Sequence, residues 1–150
     1  MLTIYNNKEY KCFSLPNGQI LLLSDKPEDN TWTKCEQDNK CIYKKIVNKS
    51  ECERFYCINC YGLIKGQKIE IIDADNDKVM VVGNTDDYTQ EFIETVFGGK
   101  KGREIRKWCN ISAFSEFEIE YFEDNEHINT VHSVTAEQVK GSVKKMFCLC

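Results

Sequence analysis

The side chains best suited to chemistry in this 150-residue sequence are its thiols. Nine cysteines stand at positions 12, 35, 41, 52, 57, 60, 109, 148 and 150. Cys52, Cys57 and Cys60, with Cys35 and Cys41 upstream, could offer thiolates to a tetrahedral zinc ion, which is usually held by two closely spaced pairs. The spacing argues against such a site. Only Cys57-x-x-Cys60 has knuckle spacing, it encloses no glycine, and Cys35 and Cys41 are separated by five residues. If the segment is a strand, an offset of three also sends Cys57 and Cys60 to opposite faces. The pair does not open a helix either, so no helix dipole lowers a thiol pKa. An odd number of cysteines, spread along a chain whose composition supports a core without staples, reads as reduced, semi-buried apolar residues. No metal and no cofactor is expected, with Cys52, Cys57 and Cys60 the candidates should a metal bind.

Other constellations resolve into ordinary structure. His127 and His132 are the only histidines, and no G-x-S-x-G or H-E-x-x-H pattern accompanies them, so no catalytic residue is assigned. Asp73, Asp75 and Asp77 match the opening of a calcium-binding loop, but Lys78 stands where glycine is required and Asn84 where a bidentate glutamate is required. The cluster Gly98-Gly99-Lys100-Lys101-Gly102 follows a helical pattern instead of opening one, which suits a helix C-cap better than a phosphate cradle. The terminal Cys148-Leu149-Cys150 has the form of a doubly prenylated GTPase tail, yet no G-x-x-x-x-G-K-[ST] loop occurs in the chain.

The acidic strip is the strongest surface signal. Glu116, Glu118, Glu120, Glu123, Asp124 and Glu126 occur with no Lys or Arg among them. The first three alternate with Phe117, Ile119 and Tyr121, so they project from one strand face at intervals of about 7 Å. A solvated face that guards an edge strand is the simplest account. The functional account is an anionic surface complementary to a basic partner, giving fast, salt-sensitive association. Trp108 and Tyr121 would then supply aromatic anchors of the kind that dominate interface energetics.

These residues need a scaffold, and Lys68 to Val82, KIEIIDADNDKVMVV, is its centre. Two apolar runs flank an Asp/Asn turn, which predicts a hairpin whose second strand, apolar at Val79, Met80, Val81 and Val82, is covered on both faces. Upstream, residues 1–24 read as a three-strand meander with turns at Asn6-Asn7 and Asn17-Gly18, the latter as type I′. Thr31–Gln37 and Cys41–Val47 predict a second hairpin turning at Asp38-Asn39. Glu51–Ile64 is ambiguous between strand and helix, and its aromatic and cysteine content favours strand.

Downstream, N-cap residues at 84–87 precede Tyr88, Phe92, Ile93, Val96 and Phe97 at helical spacing, predicting a helix around 86–97 that Gly98-Gly99 stops. Lys100–Lys107 reads as a basic loop or half-turn. After the acidic strand comes a short strand around 128–134, and Thr135 with Gln138 forms a capping box opening a C-terminal helix around 136–147. The expected fold is one α+β domain over 1–150, a mainly antiparallel and strongly twisted sheet of hairpins with a helix packed on it.

Composition narrows the function classes. The chain is 41% hydrophobic and 29% charged with a net charge of −4, a pI near 5.3 and a mean hydropathy of −0.50, which describes an ordinary globular protein. The acidic balance disfavours nucleic acid or an anionic membrane as partner. No apolar run reaches the ~18 residues of a membrane span and the N-terminus lacks a secretory core, so cytoplasmic residence is expected. With its KIEIIDADNDKVMVVGNTDD hairpin, the following helix, the RKWCNISAFSEFE segment and the acidic strand, the region from about Lys68 to Phe122 resembles the small acidic α+β immunity proteins of bacterial polymorphic or contact-dependent toxin systems. That resemblance implies a cytoplasmic, non-enzymatic inhibitor that binds a cognate basic toxin domain, such as a nuclease, and blocks its active site. The alternative is a small zinc-stabilised or Cys/His-dependent protein.

Overall fold

Apolar and polar residues alternate over most of the chain. The computed structural model, which describes residues 1–37, 39–123 and 130–147, turns that alternation into antiparallel strands accompanied by two helices. The chain packs as two units. Among the described residues one comprises 1–57 with 122–123, the other 58–121 with 130–147.

The first unit contains β1 (Leu2–Tyr5), β2 (Lys8–Ser14), β3 (Gln19–Ser24), β4 (Thr33–Gln37), β5 (Lys40–Asn48) and the residues up to Cys57 of β6 (Cys52–Ile64). Their order is β4-β5-β3-β2-β1-β6, with every pairing antiparallel. Asn6 and Asn7 are both left-handed, at φ 50° and 61°, which gives the two-residue hairpin its type I′ turn. The next hairpin departs from expectation. Only Gly18 is left-handed, at φ 79°, and the turn bond runs from Gly18 N–H to the Leu15 carbonyl. Pro16 holds its φ negative, so Pro16-Asn17 forms a type I turn and Gly18 a bulge, the three-residue alternative to I′. Tyr5, Tyr10, Cys12, Ile20, Leu22, Trp32 and Val47 form the core of this unit, with the Tyr10 and Trp32 rings 5.3 Å apart.

The second unit holds the rest of β6 with β7 (Gln67–Asp75), β8 (Lys78–Gly83), α1 (Gln90–Phe97), β9 (Ile105–Asn110), β10 (Glu116–Glu123, to Tyr121), β11 (Thr130–Val134) and α2 (Ala136–Phe147). The ambiguous 51–64 segment is therefore strand from Cys52 on, with Glu51 closing a 3-10 turn. β7 pairs one edge of β6, including Leu63, and the Leu63 carbonyl accepts from Ser115 N–H on the other, so β10 runs along the edge away from β7. The resulting order is β11-β10-β6-β7-β8-β9.

The 100–107 stretch divides. Its last residues extend as β9 to satisfy the free edge of β8, an outcome that the basic composition does not announce. The helix also begins later than expected, at Gln90. Thr89 accepts from Phe92 N–H as its N-cap, while Asn84 caps a separate 3-10 turn at Thr85–Asp87. Gly98 ends the helix at φ 62°. At α2 the capping box forms as expected. Thr135 N–H donates to Gln138 Oε1 at 2.9 Å, and Gln138 N–H donates to Thr135 Oγ1 at 3.2 Å.

The helices define two different sheet faces. One carries Ile69, Ile71, Ala74, Val79 and Val81, all 7% exposed or less. A Cβ at Gly83 on this face would lie 2.9 Å from the Tyr88 ring and 3.3 Å from Phe97, which places α1 over it. α2 packs on β7 with Val139 and Val143 fully buried. The other face of β8, Met80 and Val82, is only half-buried, so the expectation of cover on both faces fails; because the buried residues of β7, on which α2 packs, are Ile69, Ile71 and Ala74, α2 is assigned to the same side as α1. Among the described residues no helix is long and apolar enough to cross a membrane.

Candidate functional site

Pairing registers determine what the helix-free face of the second unit presents. Tyr61 stands opposite Glu70, Glu70 opposite Val82 and Val82 opposite Arg106, giving one lateral row across β6, β7, β8 and β9. The next row pairs Met80 with Trp108, and the preceding one pairs Leu63 with Lys68. Glu116, Glu118 and Glu120 border the face on β10, as contacts to Lys68 and Tyr61 establish.

The acidic strand is more engaged than its alternation suggests. Only Glu116 is exposed, and it accepts a 2.8 Å hydrogen bond from Ser133 Oγ across the β10–β11 ladder. Half-buried Glu118 lies 2.7 Å from Lys68 Nζ. Half-buried Glu120 receives the Tyr61 hydroxyl. The expected wet, wholly acidic face is thus partly desolvated and paired, because β7 delivers Lys68 across β6. Lys68 Nζ reaches Glu118 over the Tyr61 ring, 4.4 Å from its centroid. Burial first, and then the Glu120 carboxylate, push the Tyr61 hydroxyl pKa up.

The two aromatic candidates separate. Trp108 is 39% exposed on the helix-free face, but it lies four strands from β10, a lateral distance of about 19 Å. Tyr121 alternates with the acidic residues and points with Phe117 and Ile119 to the opposite face, its ring edge-on to His132 at 5.7 Å. Glu123 belongs to the first unit, where it pairs with Arg54. Asp124, Glu126 and His127 lie outside the described residues, as do Cys148 and Cys150.

The central members of the face, Tyr61, Lys68, Glu70, Met80, Val82 and Arg106, were not among the sequence candidates. Alternation of Lys68 and Glu70 with Ile69 and Ile71 marks them as facing away from the core. Nothing local marks that they neighbour β10.

Among the described residues the thiols do not assemble. Cys12 is fully buried with its pKa pushed up to about 11, and Cys60 is buried with its pKa pushed up to about 12, in both cases chiefly by desolvation. Alternation along β6 puts Cys57 in the half-buried set and Cys60 in the buried set, while Cys52 is half-buried near the start of the strand. Among the described residues no three cysteine, histidine or carboxylate side chains are arranged to hold a metal ion.

Residues 1–96 match the family model described as "Uncharacterised conserved protein UCP033725", and the chain belongs to that family. No curated protein and no solved structure matches it. The matched span takes in Tyr61, Lys68, Glu70, Met80 and Val82 and ends before Trp108 and β10.

Proposed function

We propose that the chain is a non-enzymatic protein-binding module that engages a basic protein through the helix-free face of its second unit, and that its sharpest form is an immunity or antitoxin protein blocking a basic toxin domain. One observation carries the reading: with both helices on the opposite side, this face keeps Met80 and Val82 half-buried and Trp108 39% exposed, bordered by the carboxylates of β10. Apolar and aromatic anchors with carboxylates along one edge suit a protein partner that brings basic side chains to that edge. The reading places the protein in the cytoplasm, which suits the seven free thiols among the described residues, at positions 12, 35, 41, 52, 57, 60 and 109.

The pairing of Glu118 and Glu120 within the unit changes the test. Reversing their charge would break internal contacts, so the informative variant combines Trp108→Ser with Glu116→Lys, at opposite ends of the face. Wild-type and variant chains are used as baits at low salt, with circular dichroism confirming that both fold. One stoichiometric basic protein held by the wild type and lost by the variant is the expected result. That protein, expressed alone, should arrest growth and be neutralised by the wild-type chain. Capture of no basic protein, or equal capture by both baits, overturns the reading.

A further inference from the structure

The carboxylates of the helix-free face are not equivalent, and the difference identifies a subsite. Two cations flank Glu70 there: Lys68, two residues away on β7, and Arg106, two strands along the same row. Both are committed elsewhere. Lys68 Nζ lies against Glu118 at 2.7 Å, above the Tyr61 ring. Arg106 donates to Glu104 Oε1 through Nε at 3.0 Å and through Nη2 at 2.7 Å.

Glu70 is left half-buried between Tyr61 and Val82, with no hydrogen-bond or ion-pair partner among the described residues. Burial raises its carboxyl pKa above the ordinary 4.5, with no cation opposing the shift. A partly desolvated carboxylate without a counter-charge is unfavourable in the free protein, and that penalty is relieved when a cation arrives. On one side the residues around it are apolar: Val82 is the direct cross-strand neighbour, and Met80 and Trp108 follow in the next row.

We propose that Glu70 is the anchoring subsite of this face, receiving the side-chain cation of an arginine or lysine from a basic protein whose aliphatic stem lies over Val82 and Met80 toward Trp108. The assignment rests on the binding reading above and deepens it. A carboxylate that must be desolvated for any contact anyway, and is already partly so, adds affinity at a smaller further desolvation penalty than an exposed one. Glu116, exposed on the rim, then contributes to encounter rate and salt dependence, and Glu70 to retention of the bound partner.

The test uses the full chain and two small probes, acetyl-Ala-Arg-Ala-amide and its citrulline counterpart, which keeps the shape and removes the charge. Each is titrated into the wild-type and Glu70→Gln chains while backbone amides at 61, 70 and 82 and the Trp108 indole are followed by NMR. Saturable shifts at these positions with the arginine probe are expected. Binding should weaken about tenfold in Glu70→Gln, in line with loss of one charge-assisted contact, and the citrulline probe should give no response.

Glu70→Gln must also melt no lower than the wild type, since it removes an uncompensated charge. Equal binding of the arginine probe to both chains, equal binding of the citrulline probe, or a lowered melting temperature would overturn the proposal. The two proposals fail separately. Partner capture that survives Glu70→Gln removes the subsite alone, whereas absent capture beside Glu70-dependent probe binding removes the protein partner alone.

Discussion

Gly62 is where a single methyl group should be felt most. It sits in β6, and a Cβ built there would lie 2.3 Å from Phe114 Cδ1 and 2.5 Å from Cε1. Favourable carbon–carbon separations are about 3.5–4.0 Å, so the ring has to move by more than an ångström. It has little freedom to do so. Phe114 is 9% exposed with its ring 5.2 Å from Phe117, and the backbone is held on both sides by bonds from Phe114 N–H to Ile111 O at 3.1 Å and from Ser115 N–H to Leu63 O at 2.9 Å.

Overpacking of this kind costs about 1–3 kcal/mol, while replacing a strand glycine returns about 0.5–1 kcal/mol through the unfolded chain. Gly62→Ala should therefore destabilise by a net of about 1–2 kcal/mol, lowering Tm by about 2–8 °C in a chain of this size. Urea unfolding of the wild type, Gly62→Ala, Phe114→Ala and the double variant completes a cycle. With the ring gone, alanine at 62 should become neutral or stabilising by up to about 1 kcal/mol. An alanine that costs the same with and without Phe114, or that stabilises the wild type, refutes the close approach. The contact also bears on the proposed face, because Phe114 and Ser115 seat the start of β10 against β6 and so set where Glu116, Glu118 and Glu120 emerge.

Two further expectations concern titration. Glu70 carries a raised folded-state pKa, so the stability it contributes is fully present below the ordinary 4.5 and is lost as pH rises through the folded value. The melting-temperature difference between Glu70→Gln and wild type should consequently grow from acid toward neutral pH and then level off, with Tyr61, Tyr88, Lys68 and Arg106 the other ionisable groups around the site; a pH-independent difference contradicts the burial argument. Cys12 and Cys60, with thiol pKa values near 11 and 12, should resist alkylation at neutral pH in the native chain while exposed Cys41 reacts ahead of both, and mass spectrometry of partially labelled protein reads the order directly.

Local chemistry carried much of the fold. Asn6-Asn7, Asn39 and Asn76 all adopt the left-handed backbone that their type tolerates, and the hairpins follow from them. Thr135 and Gln138 cap α2 through their own side chains, and Phe92, Ile93, Val96 and Phe97 bury as their spacing requires. What failed was set by competition at a distance. Pro16 decided the turn at Gly18, and β9 forms from a basic segment because the edge of β8 needs a partner.

The candidate site shows the same division. Alternation correctly put Glu116, Glu118 and Glu120 on one side of β10, but charge on a sequence is counted before its counter-ions are known. Lys68 lies fifty residues from Glu118 in the chain, and only the strand order β10-β6-β7 brings them together. Once it does, two of the three carboxylates become internal contacts that hold β10 to its neighbours, Glu118 through Lys68 and Glu120 through the Tyr61 hydroxyl, and the half-buried carboxylate left without a hydrogen-bond or ion-pair partner among the described residues of this face is Glu70, an isolated glutamate in an isoleucine-rich strand. A paired carboxylate must give up its partner before it can bind another cation, whereas Glu70 gives up only the remainder of its hydration. For a face of this construction, affinity for a basic partner should follow the least compensated carboxylate over the most exposed one.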